Sequence, residues 1–264
     1  MGATGLVTAV ALPQCHRLEK WRHRAQRRIA LLQQCSGRPS RVTLPQTILF
    51  DLDGTLVDTA PDLAGAMNHV LASLGRPSVP VDRVRHLVGH GARALIKRGL
   101  AETGEPRPDL VEPAMPLFLA HYAAHIADAS RPYDGVERAL DALAAAGCRL
   151  AICTNKPTAL ATQLVAALGW TQRFAAVIGQ DRAPRPKPDA AHVHATLAAC
   201  GGDAAACVFV GDSATDAGAA RNAGLPLVLV SFGYSDVPVA TLGADAVIGH
   251  YDDLLPALAA MVPA

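Results

Sequence analysis

The pattern that most narrows the fold of this chain begins at residue 46, where short apolar runs start to alternate with stretches of helical periodicity. Runs of buried-strand type cover Thr47 to Phe50, Cys148 to Cys153, Ala175 to Ile178, Cys207 to Val210, Leu227 to Val230 and Ala246 to Ile248. Helical stretches at Val136 to Ala146, Thr158 to Leu168, Ala190 to Cys200 and Ala214 to Ala223 are followed by Gly147, Gly169, Gly201 and Gly224, where a left-handed cap is wanted. Strand, helix and strand in regular succession predict an α/β fold, a doubly wound, Rossmann-like parallel sheet with helices on both faces. Ligands of such sheets bind beyond the carboxyl ends of the strands.

One interval breaks the rhythm. About a hundred residues separate the first run from the second, and roughly 62 to 131 read as helices with no strand among them, at Asp62 to Leu74, Ala92 to Leu100 and Glu112 to Ala129. The expected organisation is a core of residues 45–61 and 132–264, an inserted all-helical cap domain at 62–131, and a basic extension at 1–44, expected to be poorly ordered. That extension holds eight Lys and Arg against one acid, a net of +7, while the rest of the chain carries −6. An appendage, a targeting peptide and a start assigned too far upstream all fit it.

Composition excludes several classes. With 50% hydrophobic and 18% charged residues, disorder over the whole length is ruled out. Fifty-one alanines against 4% aromatics imply close packing on small side chains and leave little for stacking on nucleic-acid bases. A net charge of +1 provides no global field to recruit nucleic acid or an anionic membrane. Six cysteines without paired or zinc-type spacing fit reduced thiols in a cytoplasmic protein. No apolar run approaches the roughly 20 residues of a membrane helix.

The chemistry gathers at the strand ends. Asp51-Leu52-Asp53-Gly54 closes the first strand, and residues two apart on an extended strand point the same way, so both carboxylates can face one site. Such a pair suits Mg²⁺, or a division of roles between an ionised and a protonated carboxyl. The second strand ends in Thr154-Asn155-Lys156-Pro157, Lys187 follows the third between two prolines, and the fourth ends in Gly211-Asp212-Ser213 with Asp216 four residues on. Four successive strands thus deliver Asp/Asp, Thr/Asn, Lys and Asp/Asp to one edge of the sheet. Read singly, each has a plainer role: Asp212 and Asp216 as helix caps, Lys187 as a solvated loop lysine.

This set, in this order, resembles the haloacid dehalogenase superfamily over residues 46 to about 260. The resemblance implies that Asp51 is the nucleophile and Asp53 the general acid and base. It implies a Mg²⁺ site from the Asp51 and Asp212 carboxylates and the Asp53 backbone carbonyl, and phosphoryl contacts from Thr154 and Lys187, with Gly54 and Asn155 beside the substrate. Asp216 would orient Lys187 or a metal-bound water. Members that dehalogenate or cleave carbon–phosphorus bonds lack the second aspartate, so its presence as Asp53 implies a phosphate ester as substrate. The helical interval stands where the superfamily carries a mobile cap.

Within that interval, Arg83, Arg85, Arg93, Lys97 and Arg98 form a basic run without an acid, which favours an anionic leaving group met by His90, Arg93 or Lys97. Gly89-His90-Gly91-Ala92 fits a dinucleotide fingerprint only superficially, because no strand precedes it. With Ser231-Phe232-Gly233-Tyr234 it looks instead like the phosphoglycolate phosphatases. The expected activity is therefore Mg²⁺-dependent hydrolysis of a small anionic phosphorylated metabolite, 2-phosphoglycolate first. A sugar phosphate, pyrophosphate or transfer by a sugar phosphomutase are the alternatives. Monomer and homodimer are both open.

Overall fold

The computed structural model of the chain describes residues 43–89 and 91–261. The expectation for the basic extension falls outside them, apart from Thr43 and Leu44, of which Leu44 packs against the core. The elements in chain order are β1 (Thr47–Phe50), β2 (Val57–Asp58), α1 (Ala60–Ser73), α2 (Val81–Arg85), α3 (Gly91–Glu102), α4 (Val111–Ala124), β3 (Arg131–Pro132) and α5 (Val136–Ala145). They continue with β4 (Arg149–Thr154), α6 (Thr158–Ala167), β5 (Ala176–Gly179), α7 (Ala190–Cys200), β6 (Cys207–Gly211), α8 (Ala214–Ala223), β7 (Leu227–Val230), β8 (Ala246–Ile248) and α9 (Leu254–Met261).

Six strands form one parallel sheet in the order β5-β4-β1-β6-β7-β8, with β1 central. Burial on both faces explains why these strands read as unbroken apolar runs rather than as alternation. The period of two is still visible in which core each residue joins. Ile48, Phe50, Ile152, Val208, Val210, Val228 and Val230 enter one buried cluster, while Leu49, Ala151, Cys153, Phe209, Leu227 and Leu229 enter the other. The second cluster is the alanine-rich one, with Ala217, Ala219 and Ala220 of α8 buried against the sheet. Gly147, Gly169, Gly201 and Gly224 all take positive φ at the helix ends where the sequence placed them.

The helical interval departs from expectation at both ends. Val57–Asp58 pairs antiparallel with Arg131–Pro132, so a two-stranded ribbon joins its ends, and the strand-free reading up to residue 131 runs slightly too far. Two-residue strands are too short for any periodicity to announce them. The helix expected to reach Ala129 ends at Ala124. Past it, Ala129 and Ser130 donate their backbone N–H groups to the Asp62 carboxylate at 3.0 and 2.7 Å, and the Ser130 hydroxyl adds a third donor at 2.6 Å. Asp62 of α1 therefore fastens the exit of the interval to its entrance. The terminal helix α9 and the short helix α2 had no expectation.

Candidate active site

Parallel strands β1, β4 and β6 lie side by side, so the residues that follow them emerge at one edge. After β1 the backbone turns tightly, with Gly54 N–H on Val57 O at 2.9 Å and Leu56 and Val57 N–H both on Leu52 O at 3.0 Å. Gly54 takes φ +83°, and a Cβ there would sit 2.6 Å from Asp212 Oδ2 and 2.7 Å from the Tyr234 ring. It is a glycine because the β1 loop and the Asp212 loop touch at this point. Gly54 is buried there and, like Asp212 and Lys187, lies outside the cavity lining.

Asp212 is buried and held by one donor on each oxygen, Thr55 Oγ1 on Oδ1 at 2.8 Å and Tyr234 N–H on Oδ2 at 2.7 Å, which leaves lone pairs for a cation. Asp216 completes a capping box with Ser213 at the start of α8. Its Oδ2 accepts from Asp212 N–H, Ser213 N–H and Ser213 Oγ, at 3.2, 3.1 and 2.6 Å, while Oδ1 takes Lys187 Nζ at 2.7 Å. Lys187 Nζ also lies 2.9 Å from Asp51 Oδ1. One carboxylate thus caps a helix with one oxygen and bonds Lys187 with the other.

The Lys187 loop is held from behind. Asn155 donates Nδ2–H to Lys187 O at 2.9 Å and accepts Lys187 N–H at 3.0 Å, so the amide expected at the substrate is spent on positioning this loop, although it lines the cavity. Fully buried His192 accepts the same N–H on Nδ1 at 3.3 Å, which leaves Nε2–H to donate to Ile178 O at 3.1 Å. Burial drops the imidazole to about 4 against the ordinary 6.5. The unfolded chain therefore binds that proton first, and stability falls as pH drops from about 6.5 towards 4, by on the order of 2–3 kcal/mol. We expect His192→Gln to remove this slope: its stability deficit against wild type, measured by urea unfolding, should shrink by that amount between pH 7 and pH 4.

Carboxylate oxygens of Asp51, Asp212 and Asp216 lie within 4.8 Å of one another. Burial pushes Asp51 up to about 6, with Asp216 and Asp53 adding to the rise and Lys187 opposing it. Burial and the same crowding hold Asp212 well above the usual carboxylate range. Asp51 Oδ1 is buried, and the Lys187 ammonium 2.9 Å away pairs with it as an ion without hydrogen-bond alignment. Three clustered carboxylates that share the single ammonium of Lys187 are the donor chemistry of a hard divalent cation, and the residues present fit one.

Asp53 meets a different lysine. Lys156, buried, donates to its Oδ1 at 2.8 Å and approaches Oδ2 at 3.1 Å, and it meets Tyr122 Oη of α4 at 2.6 Å. Burial alone would depress the Lys156 ammonium, yet Asp53 and Tyr122 outweigh it and hold it above the lysine range. Burial pushes the Tyr122 phenol up to about 12. The sequence reading passed over both. Lys156 lies in the bend that follows β4, where strand periodicity no longer applies, and its place beside Thr154 and Asn155 is the one signal the sequence offers.

A cavity of about 370 Å³ opens over these groups. Asp51, Asp53, Thr154, Asn155 and Lys156 form its polar floor, while Leu63, Val88, Leu95, Phe118 and Tyr122 bring an apolar wall from the helical interval. Thr154 is buried and accepts Lys156 N–H on its hydroxyl at 3.2 Å.

The basic run of the interval is not the unpaired cluster its sequence suggested. Arg83 pairs with Glu102 at 2.8 Å, Arg85 with Asp58 at 2.6 Å and Arg93 with Glu112 at 2.6 Å. Arg98 donates to Leu87 O at 3.0 Å. Arg93 reaches the cavity lining with its charge met, and exposed Lys97 is not part of that lining. The acids that neutralise the run lie 19 to 27 residues away in sequence, beyond the window in which the run looked bare. His90, the other residue expected there, lies outside the described residues.

Comparison with known proteins adds relatives. Residues 45–224 match the model of a hydrolase family described as haloacid dehalogenase-like hydrolases. The chain is 54% identical over 209 residues to a phosphoglycolate phosphatase of Caulobacter vibrioides, covering 79% of this chain and 88% of that one. It is 48% identical over 212 residues to another from Agrobacterium fabrum, covering 80% and 91%. A crystal structure of a predicted phosphoglycolate phosphatase from Haemophilus somnus superposes with a TM-score of 0.75 at 32% identity, covering 81% of this chain and 98% of that one.

Proposed function

The chain belongs to the haloacid dehalogenase-like hydrolases and is a phosphatase, and on that premise we propose that it hydrolyses 2-phosphoglycolate to glycolate and phosphate through an aspartyl phosphate on Asp51. One observation carries the mechanism. At a single edge, Asp51 is paired with Lys187 and Asp53, two residues on, with Lys156, and both carboxylates line one cavity. The substrate itself is supported by the name shared by the relatives above.

In the first half-reaction an Asp51 carboxylate oxygen bonds to phosphorus as the ester P–O bond breaks, and Asp53 gives its proton to the departing glycolate oxygen. In the second, water attacks the same phosphorus, Asp53 takes its proton, and the Asp51–phosphorus link opens. Lys187 and the Thr154 hydroxyl meet the equatorial phosphoryl oxygens, where a loose transition state spreads its charge. Asp216 keeps Lys187 aimed, and Asn155 and His192 fix the loop that carries it. Mg²⁺, held by the Asp51 and Asp212 carboxylates and the Asp53 carbonyl, would offset the repulsion between an anionic nucleophile and an anionic phosphate. The interval 62–131 would act as the cap that excludes water over the cavity.

No described helix is long and apolar enough to cross a membrane. Free Cys148, Cys153, Cys200 and Cys207 suit a reducing compartment, and we place the reaction in the cytoplasm.

The test is phosphate release across a panel holding 2-phosphoglycolate, several sugar phosphates and pyrophosphate. We expect 2-phosphoglycolate to give the highest kcat/KM, EDTA to abolish release and Mg²⁺ to restore it. A sugar phosphate in first place would replace the substrate, and full release in excess EDTA would remove the metal.

A further inference from the structure

A carboxylate on the leaving group requires a cation in the cavity, and the run of arginines that first suggested one is neutralised. Among the described residues that line the cavity, the cations are Arg93 and Lys156. Arg93 is two-thirds exposed and paired with Glu112. Lys156 is 4% exposed and bonded to Asp53 and Tyr122. Lys187, the other lysine at this edge, lies between Asp51 and Asp216 outside the cavity lining, and its place in the reaction is at the phosphoryl group rather than the leaving group.

We propose that Lys156, with the Tyr122 hydroxyl beside it, is the group that binds the carboxylate of the substrate's leaving group, exchanging Asp53 for it as substrate enters. The proposal rests on the 2-phosphoglycolate reading and deepens it.

Three features carry it. The first is place. Asp53 must come within hydrogen-bond reach of the ester oxygen to protonate it, roughly 2.6–3.2 Å, and Lys156 Nζ lies 2.8 Å from the same carboxylate. The ester oxygen and the ammonium are then on the order of 4–6 Å apart, since both partner one carboxylate. The carboxylate of glycolate begins two carbons beyond the ester oxygen, so it spans that gap.

The second is environment. A desolvated ammonium interacts far more strongly with an anion than a solvated one, and the hydrogens that now meet Asp53 can pass to the substrate carboxylate while the bond to Tyr122 is kept. Tyr122 offers a hydroxyl to the same point from α4, so an anion there would be gripped from both the core and the helical interval. The third is release. While Lys156 holds both oxygens of Asp53, that carboxyl is engaged away from the reacting oxygen. A substrate carboxylate that draws Lys156 off frees Asp53 for its work, so a leaving group without an anion loses on two counts.

The experiment compares kcat/KM for 2-phosphoglycolate and ethyl phosphate, which transfer the same phosphoryl group and differ by the carboxylate. It uses the full chain with Mg²⁺ in wild type, Lys156→Met, Lys156→Gln, Lys156→Arg and Tyr122→Phe, each checked for an unchanged far-UV spectrum and cooperative melting. We expect wild type to favour 2-phosphoglycolate and the Met and Gln variants to reduce that ratio on the order of 10–100-fold, the cost of a lost hydrogen bond to a charged group. The loss should fall more on KM than on kcat. Lys156→Arg should recover most of the ratio, and Tyr122→Phe should lower it by less than the lysine variants do.

If Met and Gln lower both substrates equally, Lys156 serves Asp53 alone and the proposal is overturned. An unchanged ratio in whichever lysine variant folds overturns it as well. A wild type that treats the two substrates alike overturns the 2-phosphoglycolate reading itself, and the assignment of Lys156 falls with it. A high wild-type ratio that Lys156 does not control sinks only the assignment.

Discussion

Asp51→Asn should lower phosphate release by roughly 10⁴-fold or more, as removal of a covalent nucleophile does when the remaining machinery cannot act without it, and should at the same time make the metal-free protein more stable. The two effects have one origin. Asp51 is buried beside Asp216 and Asp53, and its pKa is pushed from 3.8 to about 6. The unfolded chain releases that proton first, so the folded state loses stability as pH rises from about 4 to 6 and does not regain it above. An amide carries no such penalty, and at pH 7.5 in EDTA Asp51→Asn should gain about 1–3 kcal/mol in urea unfolding. Lys187 keeps Asp216 as a partner at 2.7 Å, so the variant leaves no unpaired buried ammonium. Rapid-quench measurement of acid-stable protein-bound phosphate should find none in the variant. Turnover near wild type, or a variant less stable than wild type in EDTA, would contradict this account of Asp51.

Asp53→Asn should separate substrates by their leaving groups. General acid catalysis contributes typically ~10²–10⁴-fold, and the need for it grows with the basicity of the departing oxygen. We expect the variant to lose most of that factor on 2-phosphoglycolate and much less on 4-nitrophenyl phosphate, whose phenolate departs unaided. Because Lys156 Nζ sits 2.8 Å from Asp53, the same substitution removes an anionic partner from a buried ammonium. A lower thermal midpoint should therefore accompany the kinetic loss, the opposite of Asp51→Asn. Equal losses on the two substrates in single-turnover formation of the phosphoenzyme would remove Asp53 from the acid role.

The adjacent aspartates thus answer differently to the same chemical change, and the difference is invisible in Asp51-Leu52-Asp53. Both side chains line the cavity, but the partner of each arrives from elsewhere: Lys187 from the loop before α7, and Lys156 from just after β4.

What the sequence determined by itself is what depends on near neighbours along the chain. Apolar runs of four to six residues specify strands buried on two faces, glycine after a helical stretch specifies its end, and the order of strand and helix specifies a parallel sheet that brings Asp51, Thr154 and Asp212 to one edge. Tertiary structure alone decided where charge is left over. Arg83, Arg85 and Arg93 looked free because Glu102, Asp58 and Glu112 lie well outside their stretch of sequence. Lys156 looked incidental because its partners are Asp53, 103 residues before it, and Tyr122, 34 residues before it on another element. Backbone periodicity is a local property with a fixed repeat, whereas a Coulomb interaction depends on distance and burial, which exist only once the chain has folded.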